Sequence, residues 1–185
     1  ETTCVQTIEV IDDIPPTFDP SCQFMPLNLY TNDGYDCPAE AEISLEVGDI
    51  LTTSDTWMVA GFMVPSLSGC LFDNCSADSE IRAEVEEIAV DDTALPCERT
   101  ITVSFRLRDA CGNEQPTLFV CIYNIYDNTA PTFTVPDDVT LSCEQDVDDL
   151  TLAGDVTDEE DNCVAGIEAA YTDAADLSGC LGTGT

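Results

Sequence analysis

The sequence predicts an all-β chain of tandem modules stapled by disulfides, and three observations carry that prediction. The first is alternation: Thr100-Ile101-Thr102-Val103-Ser104-Phe105-Arg106-Leu107-Arg108 places apolar and polar residues on opposite faces with period two. The second is a repeated proline motif. Asp12-Asp13-Ile14-Pro15-Pro16-Thr17-Phe18 returns as Asp127-Asn128-Thr129-Ala130-Pro131-Thr132-Phe133, 115 positions on from Phe18 to Phe133. Proline fixes its own φ and pushes the residue before it to extended geometry, so the motif reads as a stiff joint between modules. The third is cysteine: 11 in 185 residues, with no His. They lie at domain-scale intervals and form no CxxC pair, which points to disulfides in an oxidising compartment rather than to zinc.

Residues 1–12 begin the chain as a strand. Cys4-Val5-Gln6-Thr7-Ile8-Glu9-Val10-Ile11 resembles Cys121-Ile122-Tyr123-Asn124-Ile125-Tyr126, which also runs into an acidic residue and a proline. The stretch is expected to be the last strand of a preceding module. Module one then covers residues 13–126. A first strand sits near Thr17, and a polar loop follows around Asn32-Asp33-Gly34. Ala41-Glu42-Ile43-Ser44-Leu45-Glu46-Val47 alternates and ends at Gly48-Asp49. Residues 57–72 are strongly apolar. Ile81-Arg82-Ala83-Glu84-Val85-Glu86-Glu87-Ile88 fits strand or helix by pattern, and the all-β context selects strand. After the strand 100–108, Asp109-Ala110-Cys111-Gly112-Asn113 makes a turn and residues 117–126 return as the last strand.

Module two covers residues 127–185, and its landmarks repeat those of module one. Cys143 matches Cys37, each followed eleven residues later by Gly-Asp (Gly48-Asp49 and Gly154-Asp155). Asp161-Asn162-Cys163 matches Asp73-Asn74-Cys75, and Cys180 matches Cys97. The offset falls from 115 to 106 (Cys37 to Cys143), 88 (Asp73 to Asp161) and 83 (Cys97 to Cys180), so module one carries insertions. Module two stops before the strand equivalent to 100–108. The chain is therefore expected to be a window of a longer polypeptide; strand exchange between neighbouring subunits is the other reading.

Charge narrows the function. The net charge is −34, there is no Lys, and the cations are Arg82, Arg99, Arg106 and Arg108. Such a surface repels nucleic acid and anionic membrane. It suits divalent cations, whose hard ligands are carboxylates, and equally a solvated surface in salty water. Without His there is no Ser-His-Asp or Cys-His arrangement, and no Gly-rich phosphate loop is present. A carboxylate pair of the glycosidase kind is compatible with the composition, but the acids fall in turns or on polar strand faces, so no catalysis is expected. No signal peptide or transmembrane run is visible.

These landmarks together bring a family into view. Pro131-Thr132-Phe133, Cys143, Asp161-Asn162-Cys163, Cys180-Leu181-Gly182-Thr183-Gly184-Thr185 and Phe105-Arg106-Leu107-Arg108-Asp109-Ala110-Cys111-Gly112-Asn113 resemble the repeats of giant SprB-type gliding-motility surface adhesins of Bacteroidota, and more distantly HYR domains. The resemblance implies immunoglobulin-like β-sandwiches in a very long extracellular, cell-surface protein, exported by type 9 secretion and acting in adhesion and gliding. Its implied partners are neighbouring modules or subunits. Module one departs from the pattern in its length and in Cys22, Cys70 and Cys121.

In a sandwich of that kind the loops cluster at two ends. Cys37 and Cys97 each precede a core strand, which predicts Cys37–Cys97. Cys75 and Cys111 each follow one, which predicts Cys75–Cys111 at the opposite end. The same logic gives Cys143–Cys180, with the partner of Cys163 beyond the chain. Cys22 pairs with Cys70 or with Cys121, and the odd count leaves Cys4 or Cys121 over. Each closed loop is worth on the order of 2–4 kcal/mol.

Two sites are candidates. The joint resembles a cadherin linker, which suggests calcium at Asp12, Asp13, Asp127 or Asn128, with Asp109 and Asn113 able to join at the same end. The alternative is that these side chains cap turns. The run Asp158-Glu159-Glu160-Asp161-Asn162 reads as a solvated loop. Trp57, Met58, Phe62 and Met63 are the candidate contact surface for a glycan or partner protein, because binding sites favour aromatics and Met. The alternative is that the insert folds back over its own module.

Overall fold

The computed structural model describes residues 6–21, 26–142, 145 and 149–170. The chain forms two compact units, Glu1–Asn128 and Thr129–Thr185. The described residues are predominantly β.

Unit one is built on a five-stranded sheet. Its spine is Glu98–Arg108 (β8), flanked by Arg82–Asp91 (β7) and Phe119–Tyr126 (β9), both antiparallel to it. Leu27–Tyr30 (β2) joins β9 in parallel and Ile50–Thr52 (β3) joins β7, giving the order β2-β9-β8-β7-β3. Strict alternation dictates the inner face: Ile101, Val103, Phe105 and Leu107 from β8, and Phe119, Cys121, Tyr123 and Ile125 from β9, are buried. The ambiguous run 81–88 is strand. Its pattern breaks at Glu86-Glu87, and the ladder absorbs the break with a bulge: Val85 pairs with Phe105 and Glu87 with Ser104, leaving Glu86 as the extra residue. The bulge returns Ile88 to the core face opposite Val103.

The apolar stretch 57–72 covers that face. Trp57–Val59 (β4) and Phe62–Val64 (β5) form a hairpin whose two loop residues, Ala60 and Gly61, both have positive φ (48° and 76°). Such a two-residue loop matches the twist of the strands it joins. Trp57 packs on Phe105 with ring centroids 5.6 Å apart and donates its indole N–H to the Tyr123 hydroxyl at 3.1 Å. Leu71–Phe72 (β6) then pairs with Thr17–Phe18 (β1).

The segment 41–47, expected as a core strand, makes only an isolated bridge, Ile43 to Val59. Its apolar side does face inward, with Ala41 and Leu45 buried. The ladder fails because the Ser44 hydroxyl, not a carbonyl, accepts the Met58 N–H at 2.9 Å. Residues 6–12 likewise carry no strand pairing among the described residues, and Ile8, Val10 and Ile11 are exposed.

In unit two, Thr132–Thr134 (β10) pairs with Thr157–Glu160 (β11). Between them lies one helical turn, Leu150–Ala153 (α1), capped by Asp149, whose carboxylate accepts the Thr151 N–H at 3.0 Å. No helix among the described residues is long and apolar enough to cross a membrane.

Candidate metal centre

Three chain segments meet at one end of unit one. After β6, the Asp73 Oδ2 accepts the N–H groups of Cys75 and Ser76, both at 2.7 Å, closing a tight turn. After β8, Asp109 organises the turn 109–113. Its Oδ1 accepts the Asn113 N–H and its Oδ2 the Asn113 side-chain amide, both at 2.8 Å. Gly112 permits that turn because its φ is +88°. The third segment is the approach to Pro15. The Asp12 carbonyl accepts the Asn113 amide at 3.2 Å, and the Ser76 hydroxyl accepts the Ala110 N–H at 3.3 Å.

These bonds bring Asp12, Asp73 and Asp109 together, with one carboxylate oxygen from each within 4.8 Å of the others. Asp109 is only 4% exposed and the other two are half-buried. Burial by itself would raise the Asp109 carboxyl. The hydrogen bonds from the Asn113 side chain and from the backbone of Asn113, Cys111 and Gly112 outweigh it and hold the group below its ordinary value. Asp109 is thus an anion pointed at two more acids. Asp12 Oδ2 and Asp73 Oδ1 are buried atoms that receive no hydrogen bond.

The expected metal ligands divide. Asp12 is in the cluster. Asp13 is exposed. Asp127 and Asn128 are engaged elsewhere, since Thr31 Oγ1 donates to Asp127 Oδ1 at 3.0 Å and the Asn32 N–H donates to Asn128 Oδ1 at 3.1 Å. Asn128 thereby satisfies a backbone N–H of the short 3-10 turn Thr31–Asp33, and Asp127 holds the Thr31 side chain. Asp73 is absent from the expected set, although its recurrence in Asp161-Asn162-Cys163 marks it. In unit two Asp161 Oδ1 accepts from Cys163 N–H (2.9 Å) and Val164 N–H (2.8 Å), the same turn as at Asp73.

The cysteines also divide. Cys37, Cys70 and Cys163 are disulfide-bonded, whereas Cys75, Cys97, Cys111 and Cys121 are free thiols. The expected Cys37–Cys97 bond is therefore not formed. Its premise is that both residues precede core strands, and the segment after Cys37 is not one. Cys75 and Cys111 do share the predicted end, but both are free thiols, so the expected bond between them is not formed either. Desolvation, followed by the charges of Asp12 and neighbouring aspartates, raises both thiols. Cys121 is a core residue beside Tyr123, and burial pushes its thiol up to about 12. Cys4, Cys22, Cys143 and Cys180 lie outside the described residues.

Of the expected contact surface, Trp57 is 2% exposed and belongs to the core, and Phe62 packs edge-on against Tyr35 at 5.7 Å. The insert folds back, as one of the two readings has it. Met58 and Met63, cross-strand partners, remain on the outer face at 38% and 63% exposure. Compared with known protein families, characterised proteins and solved structures, the chain matches none.

Proposed function

We propose that this chain is a structural stretch of a long extracellular repeat protein, an adhesin or filament of immunoglobulin-like modules on a bacterial cell surface, working without catalysis. One observation carries the reading: the same local unit is built twice. β1 pairs with β6 and runs into the Asp73 turn; β10 pairs with β11 and runs into the Asp161 turn. In both turns the Asn side chain also donates to the following cysteine sulfur, at 3.2 Å for Asn74 and 3.0 Å for Asn162. Duplication of a strand pair with its closing turn is the signature of an array, whose function is to set length and spacing. The acidic surface suits such an array, since like charge keeps neighbouring rods apart.

The resemblance to SprB-type repeats supports type 9 export and a gliding or adhesive role for the whole protein. Electron microscopy of the native protein tests the reading: rods or fibres with a regular axial repeat are expected, and isolated globular particles overturn it. A second reading, a module gripping a glycan or protein, draws on the exposed pair Met58 and Met63. Binding on a glycan array that disappears in a Met58→Ser, Met63→Ser double variant would favour it.

A further inference from the structure

We infer that Asp12, Asp73 and Asp109 hold one divalent cation of the calcium kind, and that this ion pins the segment leading to Pro15 onto unit one. The inference is independent of the array reading above.

The first ground is the pair of orphaned oxygens. A buried polar atom without a partner costs about 1–3 kcal/mol, and more when it is charged. Here two such atoms, Asp12 Oδ2 and Asp73 Oδ1, belong to carboxylates of one cluster. Each carboxylate already uses its other oxygen locally: Asp73 Oδ2 for Cys75 and Ser76, Asp12 Oδ1 for the Ile14 N–H at 3.3 Å. The orphaned atoms are the ones left over for something else.

The second ground is the location of the chain's own cations. There is no Lys and no His. Arg99 pairs with Asp92, Arg106 with Glu86 and Arg108 with Glu114, at 2.6, 2.7 and 2.5 Å respectively. Arg82 donates to the carbonyls of Ser79 and Ile81. No cationic side chain of the protein compensates three acids crowded into one spot, so compensation comes from solution.

The third ground is spacing. Calcium takes oxygens at about 2.4 Å, so two ligands on one ion lie at most about 4.8 Å apart. All three aspartates offer oxygens within 4.8 Å of one another. Magnesium demands near-ideal octahedral geometry and dehydrates reluctantly, which fits a site whose free oxygens are buried less well.

The consequence is mechanical. Asp73 and Asp109 sit in turns fixed by their strands, whereas Asp12 ends a stretch with exposed Ile8, Val10 and Ile11. Only Asp12 has freedom to lose. Binding therefore orders the approach to Pro15, where proline geometry transmits the constraint into β1.

The test is calorimetric titration of the metal-stripped chain with Ca2+ at physiological salt, alongside proteolysis of residues 6–13. One saturable site is expected, and Ca2+ should slow cleavage in 6–13 at least several-fold. Asp12→Asn and Asp73→Asn should each weaken the site tenfold or more, while Asp33→Asn, an exposed carboxylate elsewhere, leaves it unchanged. Asp12 lies outside the core, so Asp12→Asn reads the site even if Asp73→Asn perturbs folding. The inference is overturned if no saturable site appears, or if the Asp12→Asn isotherm superimposes on that of the parent chain.

Discussion

The turns at Asp73 and Asp161 share a sequence, a geometry and a preceding strand pair, yet only one joins a cluster of three carboxylates among the described residues. Each aspartate accepts two N–H groups from the residues two and three positions on. What differs is company. Asp73 faces Asp109, delivered by the turn after β8, and Asp12, delivered by the approach to β1. A short motif specifies the turn by itself; this carboxylate cluster needs acids from segments far apart in the chain.

Four expected outcomes put that contrast at risk, beginning with the most severe. Trp57→Ala removes the indole that fills the core against Phe105 and leaves the Tyr123 hydroxyl without its donor. It should cost unit one roughly 3–5 kcal/mol in denaturant unfolding. Asp109→Ala should cost about 2–3 kcal/mol, since the half-buried Asn113 N–H and amide lose their acceptor. Hydrogen exchange at Asn113 would show it.

Asp73→Ala and Asp161→Ala offer the closer comparison. Each removes the acceptor of two backbone N–H groups, a loss of about 1 kcal/mol read by exchange at Cys75 and Ser76 or at Cys163 and Val164. In chelator, Asp73→Ala should cost less than Asp161→Ala, because it also relieves crowding among three anions. In Ca2+ the order should reverse. Equal costs under both conditions would show the two turns to be electrostatically alike.

The smallest effect concerns the thiols. An alkylating reagent at pH 8 should modify exposed Cys97 in the native protein and reach buried Cys121 only after unfolding. The folded Cys121 thiol titrates at about 12 rather than near 9, and burial raises the Tyr123 hydroxyl as well. A raised acid favours its neutral form in the folded state. Stability should accordingly decline as pH climbs above 9, and Cys121→Ala should flatten part of that decline.

Much of this is legible in residue order. Alternation fixes the faces of β8 and β9, because one-sided burial in a period-two chain permits a single register. The repeated Asp-Asn-Cys is visible too, and its turn is a local device in which a side chain bonds backbone two and three residues on. The β-hairpin at 57–64 is harder to see, although Ala60-Gly61 supplies its turn. The continuous apolar run masks the alternation, since both Trp57 and Val59 point inward while Met58 and Met63 point out.

The β character, the paired turns, the acidity and the scarcity of cations follow from residue order alone. They depend on neighbours within a few positions or on composition. Which acids meet is a tertiary matter. Asp12, Asp73 and Asp109 come together because β1 pairs with β6 and β8 ends beside them, while Asp127 and Asn128, equally acidic or polar in sequence, are used in capping Thr31 and Asn32. Pairing between remote strands sets such coincidences, and no local pattern encodes the distance between two loops.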